Sequence, residues 1–160
     1  MGAGKTTIGR RLAKTLQRPF YDSDREIEEQ TGASIALIFE IEGEEGFRQR
    51  EHRMIAELTQ LKDIVLATGG GAVIDPGNRD CLKQRGFVVY LQTPVGRLIA
   101  RTHLDRGRPL LQATDPSRRL QELVTEREPL YREVADLIID TNNQTVRQVV
   151  EEITRLWRKG

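Results

Sequence analysis

The sequence predicts an α/β protein in which a doubly wound parallel sheet carries helices on both faces. Two observations predict this class: short apolar runs such as "DIVLA" and "GFVVYL" have the length of buried strands, and segments with apolar residues three or four apart separate them as helices. A third is the glycine-rich stretch "GAGKTT", which opens the first of these helices. With 160 residues and neither a linker nor an internal repeat, the chain is predicted to form one domain, residues 1–160.

Helical and strand patterns alternate along the chain. The first helix is predicted over residues 5–16, because Ile8, Leu12 and Leu16 recur on one face. Residues 19–22 are then predicted to be a short strand, and Ser34 to cap one of the helices that follow. The other predicted elements are helices over residues 24–30, about 44–60 and 145–157, and strands at residues 64–67 and within "GFVVYLQTP" and "ADLIIDTNN".

The charge balance argues against nucleic acid and membranes as partners. The formal net charge is only +1, and no apolar run approaches the ~20 residues of a membrane span. Twenty of the 25 basic residues are arginine, whose planar fork suits a small anionic substrate. The single Cys81 excludes an intramolecular disulfide. We therefore expect a monomeric cytoplasmic protein that acts on small molecules.

The stretch "GAGKTT" is typical of the end of a phosphate-binding loop. Gly2, Ala3 and Gly4 let the backbone approach a phosphate closely with its N–H groups turned inward, and the following helix directs its N-terminal dipole to the same point. Lys5 is placed to reach the β- and γ-phosphates, and the Thr6 hydroxyl to ligate Mg²⁺.

The start of this loop is not in the sequence. The full pattern is G-x-x-x-x-G-K-[ST], and counting back from Gly4 places its first glycine before Met1. A buried strand normally leads into such a loop. We therefore expect the native protein to begin further upstream, and the sheet of this chain to lack its central first strand.

A pair of acids, two apart in an extended stretch, lies at the carboxyl end of the strand at residues 19–22. Ligands bind at the carboxyl ends of the strands in open parallel sheets, so Asp22 and Asp24 are placed to face a metal ion and a substrate hydroxyl. A helix cap is the alternative, with Asp24 as the N-cap of the next helix.

The chain resembles the shikimate kinase family. The motifs that carry the resemblance are, in order, "GAGKTT", "YDSD", "EGFRQRE", "ATGGGAV", "RPLL" and "REPLYREVAD", and they extend over essentially its whole length. The resemblance implies a fold like that of P-loop nucleoside-monophosphate kinases. It also implies transfer of the γ-phosphoryl group of ATP to the 3-hydroxyl of shikimate, with Mg²⁺, in the biosynthesis of chorismate and aromatic amino acids. The context of "YDSD" and "EGEEGFR" is similar to the enterobacterial-type form.

The resemblance also implies roles for individual residues on the acceptor side. Asp24 matches the acid that binds the substrate hydroxyls and accepts the reacting proton. Arg48 and Arg127 match the pair that clamps the shikimate carboxylate, and Gly70, between Gly69 and Gly71, matches a backbone donor to the substrate. Glu51 stands three residues after Arg48 and is placed to orient that arginine.

On the nucleotide side, Thr6 matches the magnesium ligand and Asp22 its partner. Arg108 matches an arginine that swings onto the phosphates, in a lid at about residues 103–115 with Gly107 as its hinge. Residues at about 23–60 are expected to form the substrate-binding helical segment. The positions implied to bind the nucleotide are Gly2, Ala3, Gly4, Lys5, Thr6, Thr7, Arg101, Arg108 and Gln144.

Two other functions remain open from the sequence. A kinase of another small polyol, such as gluconate, would share the fold and the loop, although "GGGAV" and the two arginines favour shikimate. The absent strand would also be compatible with a nucleotide-binding chain that does not catalyse.

Overall fold

The computed structural model describes residues 2–102 and 114–160. Helices and strands alternate along it, as the sequence predicts. The helices are α1 (Lys5–Leu16), α2 (Ser23–Thr31), α3 (Ile35–Leu58), α4 (Pro76–Arg85), α5 (Val95–Thr102), α6 (Pro116–Val134) and α7 (Val146–Trp157), with a short 3-10 turn, η1 (Ala72–Ile74). The strands are β1 (Phe20–Asp22), β2 (Val65–Ala67), β3 (Val89–Gln92) and β4 (Leu137–Asp140).

The strands form two parallel pairs. Strand β1 pairs with β2, and Asp22 lies opposite Ala67 at their carboxyl ends. Strand β3 pairs with β4, and Gln92 lies opposite Asp140. Every observed pairing is therefore parallel, which requires a helical crossover between the paired strands and confirms the α/β class.

Successive residues of β3 contact different helices. The Tyr90 ring stacks on Tyr131 of α6, with ring centroids 5.0 Å apart. Its neighbour Val89 packs instead against the cluster that α1, β4 and α7 form around Ile139. Because successive side chains of a strand point to opposite faces, α6 lies on one face of the β3–β4 pair and α7 on the other.

A cavity of about 940 Å³ separates the two strand pairs. We call it the strand slot. Its walls are β2 and β3 together with residues of α1, α6 and α7, and within residues 2–102 and 114–160 neither β2 nor β3 has a second partner strand. The buried side chains accordingly fall into three clusters.

Two local features differ in detail from the sequence prediction. The helices predicted on either side of Gly43 are joined directly in α3, where Gly43 adopts φ 72° and ψ −178° and breaks the helical path. Helix α2 begins at Ser23, one residue earlier than predicted, and its N-cap is Asp22. No helix in the part of the chain that the structure describes is long and apolar enough to cross a membrane.

Candidate active site

The phosphate loop stands at the N-terminus of α1. Gly4 is the N-cap and has a left-handed backbone, with φ 84° and ψ 22°, which glycine adopts without steric cost. Arg101 of α5 holds the loop from the other side, because its Nη1 donates to the carbonyl oxygen of Gly2 at 2.9 Å. The loop therefore presents backbone N–H groups and the positive end of α1 to the pocket above it.

Asp22 connects this loop to the next part of the site. Its Oδ2 accepts a hydrogen bond from the Thr6 hydroxyl at 2.9 Å. Its Oδ1 accepts from the backbone N–H groups of Asp24 and Arg25, so this carboxylate caps α2. Asp24 thus lies in the first turn of a helix and not in an extended stretch or at the N-cap, which corrects both sequence interpretations of its position.

The Asp24 carboxyl is held in an environment that disfavours its charge. Burial raises the pKa of Asp24 above the ordinary value of 3.8, and the neighbouring Asp22 carboxylate raises it further. The positive charges of Lys5 and Arg48 act in the opposite direction. A carboxyl group whose pKa is raised binds a proton more readily, which suits it to accept one from a substrate hydroxyl.

Arg48 and Glu51 form an ion pair on α3 in which the carboxylate is buried and the guanidinium half-buried. Arg48 Nη1 lies 2.8 Å from Glu51 Oε1, as the spacing of three residues predicts, and Glu51 is only 1% exposed. Burial raises the pKa of the Glu51 carboxyl, whereas Arg48 acts to lower it. The pair fixes the guanidinium of Arg48 at the wall of the pocket, because an unpaired Glu51 charge would be costly at that depth.

Arg127 reaches the same place from α6. Arg127 is only 4% exposed, which is unusual for an arginine and is inconsistent with a solvated position on the helix surface. The glycine-rich turn after β2 lies against Arg48 and Asp24: a Cβ atom on Gly71 would overlap the Arg48 guanidinium, and one on Gly69 would lie 2.8 Å from Asp24 Oδ1. Only glycine at these positions lets the backbone approach both groups so closely.

Four buried polar atoms on the acceptor side have no hydrogen-bond partner among the residues that the structure describes. Two are the guanidinium Nε atoms of Arg48 and Arg127, and the other two are Asp24 Oδ1 and Glu51 Oε2. Buried polar groups are almost always paired in folded proteins. Such a concentration of unpaired donors and acceptors around one cavity indicates a ligand with both carboxylate and hydroxyl groups.

All the described residues that the sequence predicted for the site line a single cavity of about 960 Å³. On the nucleotide side they are Gly2, Ala3, Gly4, Lys5, Thr6, Thr7, Asp22, Arg101 and Gln144. On the acceptor side they are Asp24, Arg48, Gly69, Gly70, Gly71 and Arg127, with Glu51 beside them. The predicted lid arginine, Arg108, lies outside the described residues, as does nearly all of the predicted lid at about residues 103–115.

Two residues at the site were missed in the sequence. The Ser23 hydroxyl accepts a hydrogen bond from the Gly69 N–H at 3.3 Å, and the Tyr131 hydroxyl donates to the Gly70 carbonyl at 2.6 Å. Both side chains hold the glycine-rich turn from elements that are distant in sequence. Ser23 stands inside "DSD" and Tyr131 inside "REPLY", so the motifs contained the residues but not their contacts.

The geometry combines two kinds of binding surface in one cavity. One end offers backbone N–H groups, Lys5 and a helix N-terminus, which suit the phosphates of a nucleotide. The other end offers a buried and a half-buried guanidinium group and a carboxyl group, which suit a small hydroxylated carboxylate. Transfer of a phosphoryl group from one ligand to a hydroxyl of the other is the chemistry that this arrangement allows.

Comparison with protein families places this geometry among known enzymes. The model of the Shikimate kinase family matches residues 1–158. A Shikimate kinase from Nitrosococcus oceani is 60% identical over 159 residues, which cover 99% of this chain and 84% of that protein. One from Tolumonas auensis is 54% identical over 157 residues and 91% of its length is covered.

Solved structures agree with this result. The structure of Shikimate kinase from Acinetobacter baumannii in complex with shikimate has a TM-score of 0.97 and 54% identity, and the match covers 99% of this chain and 89% of that one. Shikimate Kinase from Bacteroides thetaiotaomicron has a TM-score of 0.89 at 30% identity, with 99% and 94% covered.

Proposed function

This chain belongs to the shikimate kinase family of ATP-dependent phosphotransferases, and we propose that it phosphorylates shikimate in the cavity between α1 and α6, with the residues described above in defined roles. The product is shikimate 3-phosphate, on the route to chorismate and the aromatic amino acids. The complex of the 54% identical relative with shikimate supports this acceptor.

One observation carries the assignment of roles. Arg48 and Arg127 come from different helices, and both line the end of the cavity that faces Asp24, where Arg127 is buried and Arg48 half-buried. Their Nε atoms lack partners among the described residues, so each retains a donor for an incoming carboxylate. A planar carboxylate held by two such groups fixes the acceptor and turns its ring hydroxyls toward Asp24.

Asp24 then accepts the proton of the reacting hydroxyl. The oxygen of that hydroxyl forms a bond to the γ-phosphorus, the bond from this phosphorus to the β–γ bridging oxygen breaks, and ADP leaves with the electron pair of that bond. Phosphoryl transfer has a loose transition state, so positioning and charge stabilisation contribute more than full proton removal. The raised pKa of Asp24 makes its carboxylate a stronger base than that of an ordinary aspartate, which suits a group that takes up the proton late in the transfer.

The charges that stabilise the transferring group come from the other end of the cavity. Lys5 and the N–H groups of residues 2–4 line it there. We assign to Arg108 the role of a further cation on the phosphates, and to residues 103–115 that of a lid that excludes water. Water would otherwise compete with the acceptor hydroxyl for the γ-phosphoryl group.

Mg²⁺ fits the oxygen atoms at the loop. The Thr6 hydroxyl and the Asp22 carboxylate are hard donors that contact one another beside Lys5, and magnesium sites commonly combine one or two such groups with substrate phosphates. We propose that Thr6 and Asp22 hold the ion, directly or through water. Bound there, Mg²⁺ would neutralise part of the phosphate charge.

Several finer properties belong to the same proposal. We infer a single domain in which residues at about 23–60 supply the substrate-binding segment. We also infer that the enzyme is of the enterobacterial-type form and acts as a monomer in the cytoplasm. We further infer that the strand slot fits one further parallel strand between β2 and β3. The support is the slot itself, because within the described residues one edge of β2 and one edge of β3 have no partner strand.

The direct test is an ADP-release assay with shikimate, with gluconate and without an acceptor. ADP formation should depend on shikimate and on Mg²⁺, with a turnover of ~1–100 per second. Thr6→Val should reduce the response to Mg²⁺, whereas Thr15→Val, which lies at the far end of the same helix, should not. Equal rates with all three acceptor conditions would contradict the proposed function.

A further inference from the structure

The carbonyl of Gly70 is held by a side chain from a distant element. The Tyr131 hydroxyl donates to it at 2.6 Å across 61 positions of sequence. The two neighbouring carbonyls are held within the turn itself, since that of Gly69 accepts from Ala72 N–H and that of Gly71 from Ile74 N–H, both at 3.1 Å. The middle peptide of the turn is therefore fixed from α6.

A bond to this carbonyl orients more than one atom. The Gly70 carbonyl and the Gly71 N–H belong to one planar trans peptide, so they point in opposite directions. When Tyr131 fixes the carbonyl, it also fixes the direction of that N–H. A glycine pair would otherwise allow the peptide to rotate with little steric cost.

The same helix also supplies Arg127. Tyr131 follows it by four residues, which places both side chains on one face of α6. Arg48, the other predicted contact for the acceptor carboxylate, touches the turn at Gly71. The turn thus contacts one of the two guanidinium groups, and Tyr131, which holds the turn, interacts with the other.

Tyr131 is itself held rigidly. Its ring stacks on Tyr90 at 5.0 Å with an interplanar angle of 27°. The Tyr90 hydroxyl donates to Glu128, which also accepts from Arg132 Nε at 2.9 Å and from Gln92 Nε2 at 3.3 Å. Burial raises the pKa of the Tyr131 hydroxyl, so it remains a protonated donor throughout the neutral range.

We propose that Tyr131 is a positioning residue for acceptor binding: through Gly70 it holds the glycine-rich turn in the orientation that binds the shikimate carboxylate. The inference rests on the proposed function, because it names what orients that site. The Tyr131–Gly70 bond should then affect binding of the acceptor and not binding of the nucleotide.

The test is Tyr131→Phe, which keeps the stacked ring and removes only the hydroxyl. We expect KM for shikimate to rise about two- to tenfold, the change that corresponds to the net ~0.5–1.5 kcal/mol of one hydrogen bond. KM for ATP should stay within twofold of that of the parent chain. The rise should be the same at every pH between 6 and 9, because the hydroxyl does not ionise there.

The matched control is Tyr90→Phe, which removes the other hydroxyl of the stacked pair and does not touch Gly70. Both variants should lose a few degrees in Tm, but only Tyr131→Phe should change KM for shikimate. An equal rise of KM in both variants, an unchanged KM in Tyr131→Phe, or a parallel rise of KM for ATP would each overturn the proposal.

A second measurement does not depend on turnover. Amide hydrogen exchange of the segment 68–74 should be faster in Tyr131→Phe than in the parent and in Tyr90→Phe, since the turn loses its tie to α6. Unchanged exchange would overturn the proposal, whereas faster exchange with normal shikimate affinity would reduce Tyr131 to a structural role. Absence of shikimate-dependent turnover in the parent chain would instead refute the proposed function.

Discussion

The two ends of the cavity are built by different means. The nucleotide end is a contiguous stretch, residues 2–7, in which the backbone N–H groups and a helix N-terminus provide most of the binding surface. The acceptor end is assembled from α2, α3, α6 and the turn after β2, and its groups are buried or half-buried side chains. One end is thus determined by local backbone conformation, and the other by tertiary packing.

The two ends also differ in the contacts that hold them in place. The acceptor end is held by the Arg48–Glu51 ion pair within α3 and by the hydrogen bonds of Ser23 and Tyr131 to the turn. The loop, in contrast, lies above the strand slot, whose lining includes Ala3 and Lys5. We therefore expect changes in the slot to affect nucleotide binding and stability, and changes in the side-chain network to affect acceptor binding.

The largest effect is expected from filling the slot. An N-terminal extension of about ten residues, with an apolar β-branched segment that pairs with β2 and β3, should add several backbone hydrogen bonds of ~0.5–1.5 kcal/mol each and raise Tm by roughly 10–20 °C. MgADP at 100 times its Kd should add a further ~2.7 kcal/mol to the extended chain and less to the original.

The control extension has equal length but consists of glycine and serine. Thermal melting with and without MgADP compares the three chains. If the original chain melts as high as the apolar extension and gains as much from MgADP, the slot does not accept a strand.

Arg127→Ala should have the next largest effect, on the acceptor alone. Removal of one partner of a desolvated charge pair costs ~2–5 kcal/mol, so calorimetry should show a loss of shikimate affinity of at least ~30-fold with MgADP binding nearly unchanged. The control is Arg132→Ala on the same helix, where the guanidinium is half exposed and pairs with Glu128. Comparable losses in both variants would show that α6 is disturbed as a whole. Arg48→Ala should resemble Arg127→Ala.

Asp24→Asn should lower kcat by ~10²-fold, the lower end of the range for a general base, and leave KM for ATP nearly unchanged. Its Tm at neutral pH should rise, because the raised pKa of Asp24 means that its ionised form is disfavoured in the folded state. Glu29→Gln, on the exposed side of α2, is the control and should change neither kcat nor Tm. Near-full kcat in Asp24→Asn would reduce its role to substrate contact.

The smallest expected effect is a shift of the acid limb of the pH profile of kcat/KM toward higher pH. Since the pKa of Asp24 lies above 3.8, the acid limb of kcat/KM for shikimate should fall at higher pH than an ordinary aspartate would give, with activity rising as pH increases through it. The limb should disappear in Asp24→Asn and persist in Arg132→Ala. An acid limb at the pH expected for an ordinary aspartate would show that a group other than Asp24 controls the loss of activity.

The comparison also explains what could be predicted from the sequence. The sequence predicts the fold class and the family correctly, because local motifs identify them, and Lys5, Arg48 and Arg127, which the same motifs single out, line one cavity. The role of Asp22 as helix cap and the contact from Tyr131 to Gly70 were not predicted, because they depend on how elements pack. No periodicity relates two residues that lie 61 positions apart, and a hydroxyl inside a known motif carries no sign of its partner.

Asp22 has one further consequence. A single carboxylate receives the Thr6 hydroxyl on one oxygen and closes the first turn of α2 on the other. In a mutational scan scored separately for abundance and for growth without added aromatic amino acids, most substitutions at this position should fail both selections together. Asn, which can still cap a helix, should be the exception that retains abundance and loses growth. Position 22 therefore couples two selective pressures, and divergence there requires a compensating change in either the loop or the helix.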